Sequence, residues 1–136
     1  MVKCDKSVPK GDETAMGLQE SGEMYLETIL ILLQKNGFVR SVDVCDYMGY
    51  SKPSVSRAVS LLKKGGYIEV DEVGGLHFTQ VGLKIAKKIY DRHKTITEFL
   101  TGLGVPEKVA AEDACRIEHV ISDKSFSAIK KSMKNK

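Results

Sequence analysis

The sequence predicts a mainly α chain: an N-terminal winged helix-turn-helix followed by a helical domain. Apolar residues recur at helical spacing over most of the stretch from Met24 to Met133. That period gives way to alternation only once, around Ile68–Phe78. The order around the change is helix, short helix, turn, basic helix, ribbon, which is the order of a winged helix-turn-helix. The expected boundaries are an arm over 1–20, the winged domain over 21–85 and the helical domain over 86–136.

Residues 1–20 contain Pro9, Gly11 and Gly17, several charges and no apolar period, and are expected to form a mobile arm. Ser21 is expected to cap the first helix, with Glu23 in its first turn. From Met24 to Leu33 apolar side chains cover most of the circumference, so this helix should be nearly enclosed, and Asn36-Gly37 stops it. Ser41 is expected to cap a short second helix, Val42 to Met48, ended by Gly49. Ser51 caps the third, where Pro53 falls in the first turn and its missing N–H costs no intrahelical bond. Val55, Val59 and Leu62 then face inward, and Gly65-Gly66 ends the helix. Ile68 and Val70 alternate with Tyr67 and Glu69, Gly74-Gly75 turns the chain, and Leu76 and Phe78 flank His77. Thr79 is expected to cap a long helix through Val81, Ile85, Ile89, Ile96 and Leu100, broken at Gly102 and Gly104. Pro106 opens another, with Ala110, Ala114, Ile117 and Ile121 at helical spacing, and Asp123 caps a last one to about Met133.

With 21 Lys and Arg against 18 Asp and Glu, the net charge of +3 is too small to indicate a partner. Its distribution is more telling, because residues 51–66 hold Lys52, Arg57, Lys63 and Lys64 and no acid. Small hydroxyl residues clustered at a helix start are poor core material and suit a helix lying in the major groove. Ser51, Lys52, Pro53, Ser54, Ser56, Arg57 and Lys63 are therefore the candidate DNA-binding residues, with double-stranded DNA as the partner. Taken alone, such a stripe also describes a solvated amphipathic helix. The short helix before it and the ribbon after it favour DNA.

Other classes find little support. No apolar run approaches the ~18 residues of a membrane span, and the first residues offer no apolar stretch for a signal peptide. A cytoplasmic protein without a membrane partner is expected. Cys4, Cys45 and Cys115, odd in number and widely spaced, point to thiols in a reducing compartment rather than a disulfide framework. No Walker or Gly-x-Gly-x-x-Gly pattern is present.

A second constellation is Cys115, Glu118 and His119, at i, i+3 and i+4 on one helix face beside its apolar stripe. Thiolate, carboxylate and imidazole converging there suit a first-row transition metal, and the sulfur favours Fe, Co, Ni or Zn over Mg or Ca. His93 sits among charges on the long helix. Met24 and Glu27 share a face of the apolar first helix, where an unpaired carboxylate is costly and a metal would supply its partner. Cys45 reads as a small buried residue, Cys4 as an incidental thiol, and His77 as a wing residue near phosphate or solvent.

Glu23-Met24-Tyr25-Leu26-Glu27-Thr28-Ile29, Ser51-Lys52-Pro53-Ser54-Val55-Ser56, Arg92-His93 and Asp113 through Asp123 resemble the iron- and manganese-dependent repressors of the DtxR/MntR family, in register over about residues 21 to 125. The resemblance implies a homodimer whose helical domain is the dimerisation domain. It implies operator binding when loaded with Fe(II) or Mn(II), to repress metal uptake. Met24, Cys115, Glu118 and His119 match the primary metal site of the iron branch. Glu27 matches the manganese branch, and His93 matches a ligand in both. Thr97 and Ala111 stand where the iron branch's ancillary site has Glu and His, and its SH3-like domain is not expected, since the sequence ends at Lys136. The implied cofactor is Fe(II) first and Mn(II) second, with Co(II), Ni(II) or Zn(II) as surrogates. Two alternatives are a small metalloenzyme using Cys115, Glu118, His119 and His93, and a winged-helix regulator of an organic ligand. The first lacks a remaining general base and a substrate loop, so neither turnover nor a small-molecule substrate is expected.

Overall fold

The computed structural model describes residues 20–134; residues 1–19 of the expected N-terminal arm lie outside them, and its last residue, Glu20, belongs to the first helix. In chain order the elements are α1 (Glu20–Asn36), α2 (Ser41–Met48), α3 (Lys52–Lys64), β1 (Ile68–Val70), β2 (Leu76–Phe78), α4 (Gln80–Gly102), α5 (Glu107–Ile117) and α6 (Asp123–Lys134). The mainly α chain with one ribbon is as the sequence predicts. Two compact units divide it within α4, one ending at Lys87 and the other beginning at Lys88.

In the first unit, α1 is already helical at Glu20, so Ser21 lies inside its first turn rather than capping it. Met24 through Leu30 are all buried, as so apolar a helix requires. Gly37, with φ +76, donates its N–H to the Leu33 carbonyl at 2.8 Å and ends the helix where expected. The cap of α2 differs from expectation. Ser41 is its first helical residue, and Arg40, with extended backbone, holds the cap position. The Asp43 carboxylate accepts the Arg40 N–H at 2.9 Å, so the acid three residues on organises this start.

Ser51 does cap α3, its Oγ accepting the Ser54 N–H at 3.3 Å. Val55, Val59 and Leu62 are buried beneath it. Together with Leu26, Ile29, Val39, Val44, Ile68 and Leu76 they form this unit's core, each stabilising the fold by about 1.5–3 kcal/mol. The ribbon is antiparallel, with Ile68 opposite Phe78, Glu69 opposite His77 and Val70 opposite Leu76. The Leu76 N–H also donates to the Val39 carbonyl at 2.8 Å, and Arg40 bridges to Gly75, so the chain entering α2 adds an edge rung to the wing.

Thr79 caps α4 as expected, accepting the Gly82 N–H at 3.1 Å while donating to the Gly66 carbonyl at 2.7 Å. A Cβ on Gly82 would stand 1.8 Å from the Tyr67 carbonyl oxygen, so only glycine allows the first turn of α4 to lie this close to the start of β1. That approach fixes which face is buried. Gly82, Ala86, Ile89, His93 and Ile96 point inward and Val81 is 57% exposed, against the expectation that Val81 belongs to the inner stripe.

In the second unit, Ala110, Ala111 and Ala114 give α5 a buried face of small side chains. The helix closes at Ile117, four residues short of Ile121, because the Val120 and Ile121 N–H groups both turn back to the Ile117 carbonyl, at 3.0 and 2.9 Å. Ser122, rather than Asp123, caps α6 by accepting the Ser125 N–H at 3.1 Å. Asp123 is instead occupied by Lys88 and Arg92, which hold its carboxyl below the usual carboxylate range. Among the described residues no helix is long and apolar enough to cross a membrane.

Candidate metal centre and nucleic-acid interface

Burying Val55, Val59 and Leu62 leaves the rest of α3 outside. Ser51, Lys52, Pro53, Ser54, Ser56, Arg57 and Lys63 are all exposed, as a groove-lying helix requires. The Ser51 hydroxyl also donates to the Ser54 hydroxyl at 2.9 Å, which spends Ser51 largely on holding the helix start. Beside this helix the wing is organised by one carboxylate. Asp71 Oδ1 accepts the Val73 and Gly75 N–H groups at 3.0 and 2.7 Å, and Oδ2 lies 2.7 Å from His77 Nε2. The His77 ring, then the Gly75 amide, hold the Asp71 carboxyl below its ordinary value. His77 is exposed, as a wing residue should be.

Sequence reasoning missed Arg40. It is exposed at the foot of the wing, its guanidinium 5.8 Å from the Phe38 ring centroid. The sequence shows one Arg before a serine that looked like the cap, and the bridge to Gly75 is visible only once the fold is formed.

In the second unit, α4 and the turn after α5 bring three of the expected donors together. Glu118 is fully buried. Its Oε2 lies 3.0 Å from His93 Nδ1 and its Oε1 lies 3.2 Å from His119 Nε2, so a carboxylate sits between two imidazoles. His93 is 5% exposed, against the expectation that it stands among charges, because the buried face of α4 passes through it. Imidazole nitrogens and a carboxylate held this close, away from solvent, match the donors of a first-row divalent cation.

Cys115, one turn earlier on α5, is 2% exposed. It is disulfide-bonded, against the expectation of free thiols throughout, and can serve as a thiolate donor only once reduced. Cys45 is free and half-buried rather than buried. On α1, Met24 and Glu27 are 5% and 6% exposed and share a face at i, i+3. Thr97 donates its hydroxyl to the His93 carbonyl at 2.7 Å and Ala111 carries no donor, so neither extends the set.

Fold and site thus define a class: a winged-helix protein with an exposed basic recognition helix, followed by helices that bury a cluster fit for a cation. Residues 17–76 match the family described as "Iron dependent repressor, N-terminal DNA binding domain", and residues 79–136 match "Iron dependent repressor, metal binding and dimerisation domain". The chain belongs to this family, the DtxR/MntR family of metal-dependent transcriptional regulators.

It is 33% identical over 115 residues to an uncharacterised HTH-type transcriptional regulator of Methanocaldococcus jannaschii, covering 83% of this chain and 92% of that one. To the HTH-type transcriptional regulator MntR of Bacillus subtilis it is 33% identical over 109 residues, covering 80% and 77%. The solved manganese regulator SloR superposes with a TM-score of 0.75 at 26% identity, over 88% of this chain and 55% of SloR. ScaR with bound Zn2+ superposes at 0.69 and 26% identity, over 83% of this chain and 53% of ScaR. The chain therefore spans about half the length of these two solved relatives.

Proposed function

We propose that this protein is a divalent-metal-activated repressor of metal-uptake genes, acting as a homodimer in the cytoplasm on a palindromic operator, and not an enzyme. The single observation that carries this reading is the buried Glu118 carboxylate between His93 and His119, in a chain whose other unit exposes the basic helix α3. The proposed metal ligands are Met24, Glu27, His93, Cys115 in its reduced form, Glu118 and His119. The mixed sulfur, nitrogen and oxygen set favours Fe(II) ahead of Mn(II), with Co(II), Ni(II) and Zn(II) as surrogates. A bound cation would supply positive charge that offsets the carboxylates among these donors.

On the DNA side, the N-terminal half of α3 reads base edges through Ser54, Ser56 and Arg57, while Ser51, Lys52, Pro53 and Lys63 position the helix on phosphate and sugar. A dimer places two such helices about one DNA turn, or a multiple of it, apart. Preferential cation binding by the DNA-competent arrangement is the switch, and a coupling of about 1–3 kcal/mol suffices.

The test is operator binding titrated side by side with Fe(II), Mn(II), Zn(II) and chelator at fixed salt. Chelation should abolish high-affinity binding, and Fe(II) should restore it at a lower free concentration than Mn(II). Affinity unchanged by chelation would leave a winged-helix protein that senses something else, such as an organic ligand.

A further inference from the structure

Arg92 is a buried arginine that the metal reading does not use. Its guanidinium Nη1 donates to two backbone carbonyls, Glu118 at 3.0 Å and Ile121 at 2.8 Å, while Nη2 pairs with the Asp123 carboxylate. The same group lies 5.4 Å from the Phe126 ring centroid. These carbonyls lie past the end of α5, where the helical ladder no longer supplies N–H donors, so the fork satisfies groups that would otherwise be orphaned. His93 follows Arg92 on α4, and its Nδ1 meets the Glu118 carboxylate at 3.0 Å. One turn of α4 therefore grips residue 118 twice, by its backbone oxygen through Arg92 and by its carboxylate through His93.

We propose that Arg92 is the positioning residue of the metal centre: by fixing the backbone of the turn after α5, it aims Glu118 and His119 at His93 and so sets cation affinity. This rests on reading His93, Glu118 and His119 as ligands. A side chain is aimed only as well as the backbone that carries it, and the residues behind metal ligands typically account for 10–100-fold in metal affinity. Asp123 differs from the carbonyls as a partner. It is exposed and shared with Lys88 at 3.2 Å, so losing it leaves both carbonyl bonds in place.

The experiment uses the full reduced chain with Co(II) as probe, read by visible ligand-field absorption and by dissociation constant, and with the melting temperature of the metal-free protein recorded separately. Arg92→Met, which keeps the stem and removes the fork, should weaken Co(II) binding about 10–100-fold and change the shape of the absorption band. Asp123→Asn should stay within about twofold and keep the band, since the carbonyl bonds remain. Arg92→Lys keeps the charge but cannot fork, and should fall between.

Arg92→Met with a wild-type band and affinity, while Glu118→Gln loses the band, overturns this inference and leaves the ligand assignment standing. A wild-type chain with no Co(II) band, or Glu118→Gln retaining it, overturns both readings together. If Arg92→Met does not fold, Arg92→Lys decides: wild-type affinity and band overturn the inference, and weaker binding at an unchanged metal-free melting temperature supports it.

Discussion

Cys115 carries the sharpest single-residue consequence. As a disulfide it has no thiolate to offer, so the proposed donor set contains a thiolate only in reduced protein. Reduced chain mixed with Co(II) should show near-ultraviolet sulfur-to-metal charge transfer, and chain kept under oxidising conditions should lose that band and bind Co(II) more weakly. A reduced Co(II) complex without the band would remove Cys115 from the set. Asp71 gives a pH prediction of defined sign. Its folded carboxyl is held below the ordinary 3.8 by His77 and the Gly75 amide, so its contribution to wing order is complete above that value and is lost only as pH falls through the lower, folded one. The Gly75 amide shift followed by NMR should stay flat down to the ordinary carboxylate range and move below it; a midpoint at or above 3.8 would contradict the geometry. Tyr25 behaves in the opposite sense at the alkaline end. Burial, then Tyr50 and Cys45, push its phenol up to about 12, so it favours the fold up to the unfolded value of 10.0, and that contribution disappears as pH rises toward 12. Replacing Tyr25 by Phe should flatten the loss of stability between those values in alkaline melts. Donor identity was legible in the sequence at His93, Glu118 and His119, because chemistry resides in residue type and spacing. Their pairing was not, since the 25-residue separation of His93 from Glu118 is closed only by packing.

Each helix shows what local sequence can and cannot specify. Ser51, Thr79 and Gly37 ended or began helices where expected, because a cap is a bond to a group two to four residues away and needs nothing from the rest of the fold. Ser51→Ala should accordingly destabilise the protein by about 1 kcal/mol, measured by urea unfolding, and loosen the start of α3. Some of the expectations that failed were overridden by groups distant in sequence. Arg40 took the cap of α2, at the point where its backbone also pairs with Gly75 of the wing. Asp123 was drawn away by Lys88 and Arg92, leaving the cap of α6 to Ser122. Val81 lost its inward place because Gly82 sits against the Tyr67 carbonyl. That last approach is a strong test of the packing at the start of α4. An alanine at 82 would put Cβ 1.8 Å from a backbone oxygen that cannot swing aside, so Gly82→Ala should cost at least about 2 kcal/mol of stability. Unchanged stability would show that β1 and α4 do not meet this closely.

Charge acts over the full chain, and there the total and the distribution disagree. A surplus of +3 spread over 136 residues is a weak general attraction to a polyanion, yet α3 exposes Lys52, Arg57, Lys63 and Lys64 within one helix and its edge, with no acid among them. If DNA affinity comes from that stripe, operator binding should lose strength with salt in proportion to the phosphates it neutralises, with a log–log slope falling by about 0.9 for each contact removed. In the proposed homodimer every substitution would occur twice, so if Lys63 contacts phosphate, Lys63→Ala should reduce the slope by roughly 1.8 and weaken binding to all sequences alike. Arg57→Ala should differ in kind. If Arg57 reads bases, as proposed, its loss should cost about 1–3 kcal/mol per half-site and relax preference at one operator position, with a smaller change in slope. Neutralising Lys130 and Lys131 together, near the end of α6, removes the same formal charge from the chain as neutralising Arg57 and Lys63 together, while leaving α3 intact. Salt slopes that respond equally to both pairs of sites would mean that net charge governs binding; a slope that responds to α3 alone would place the electrostatic contact on the stripe.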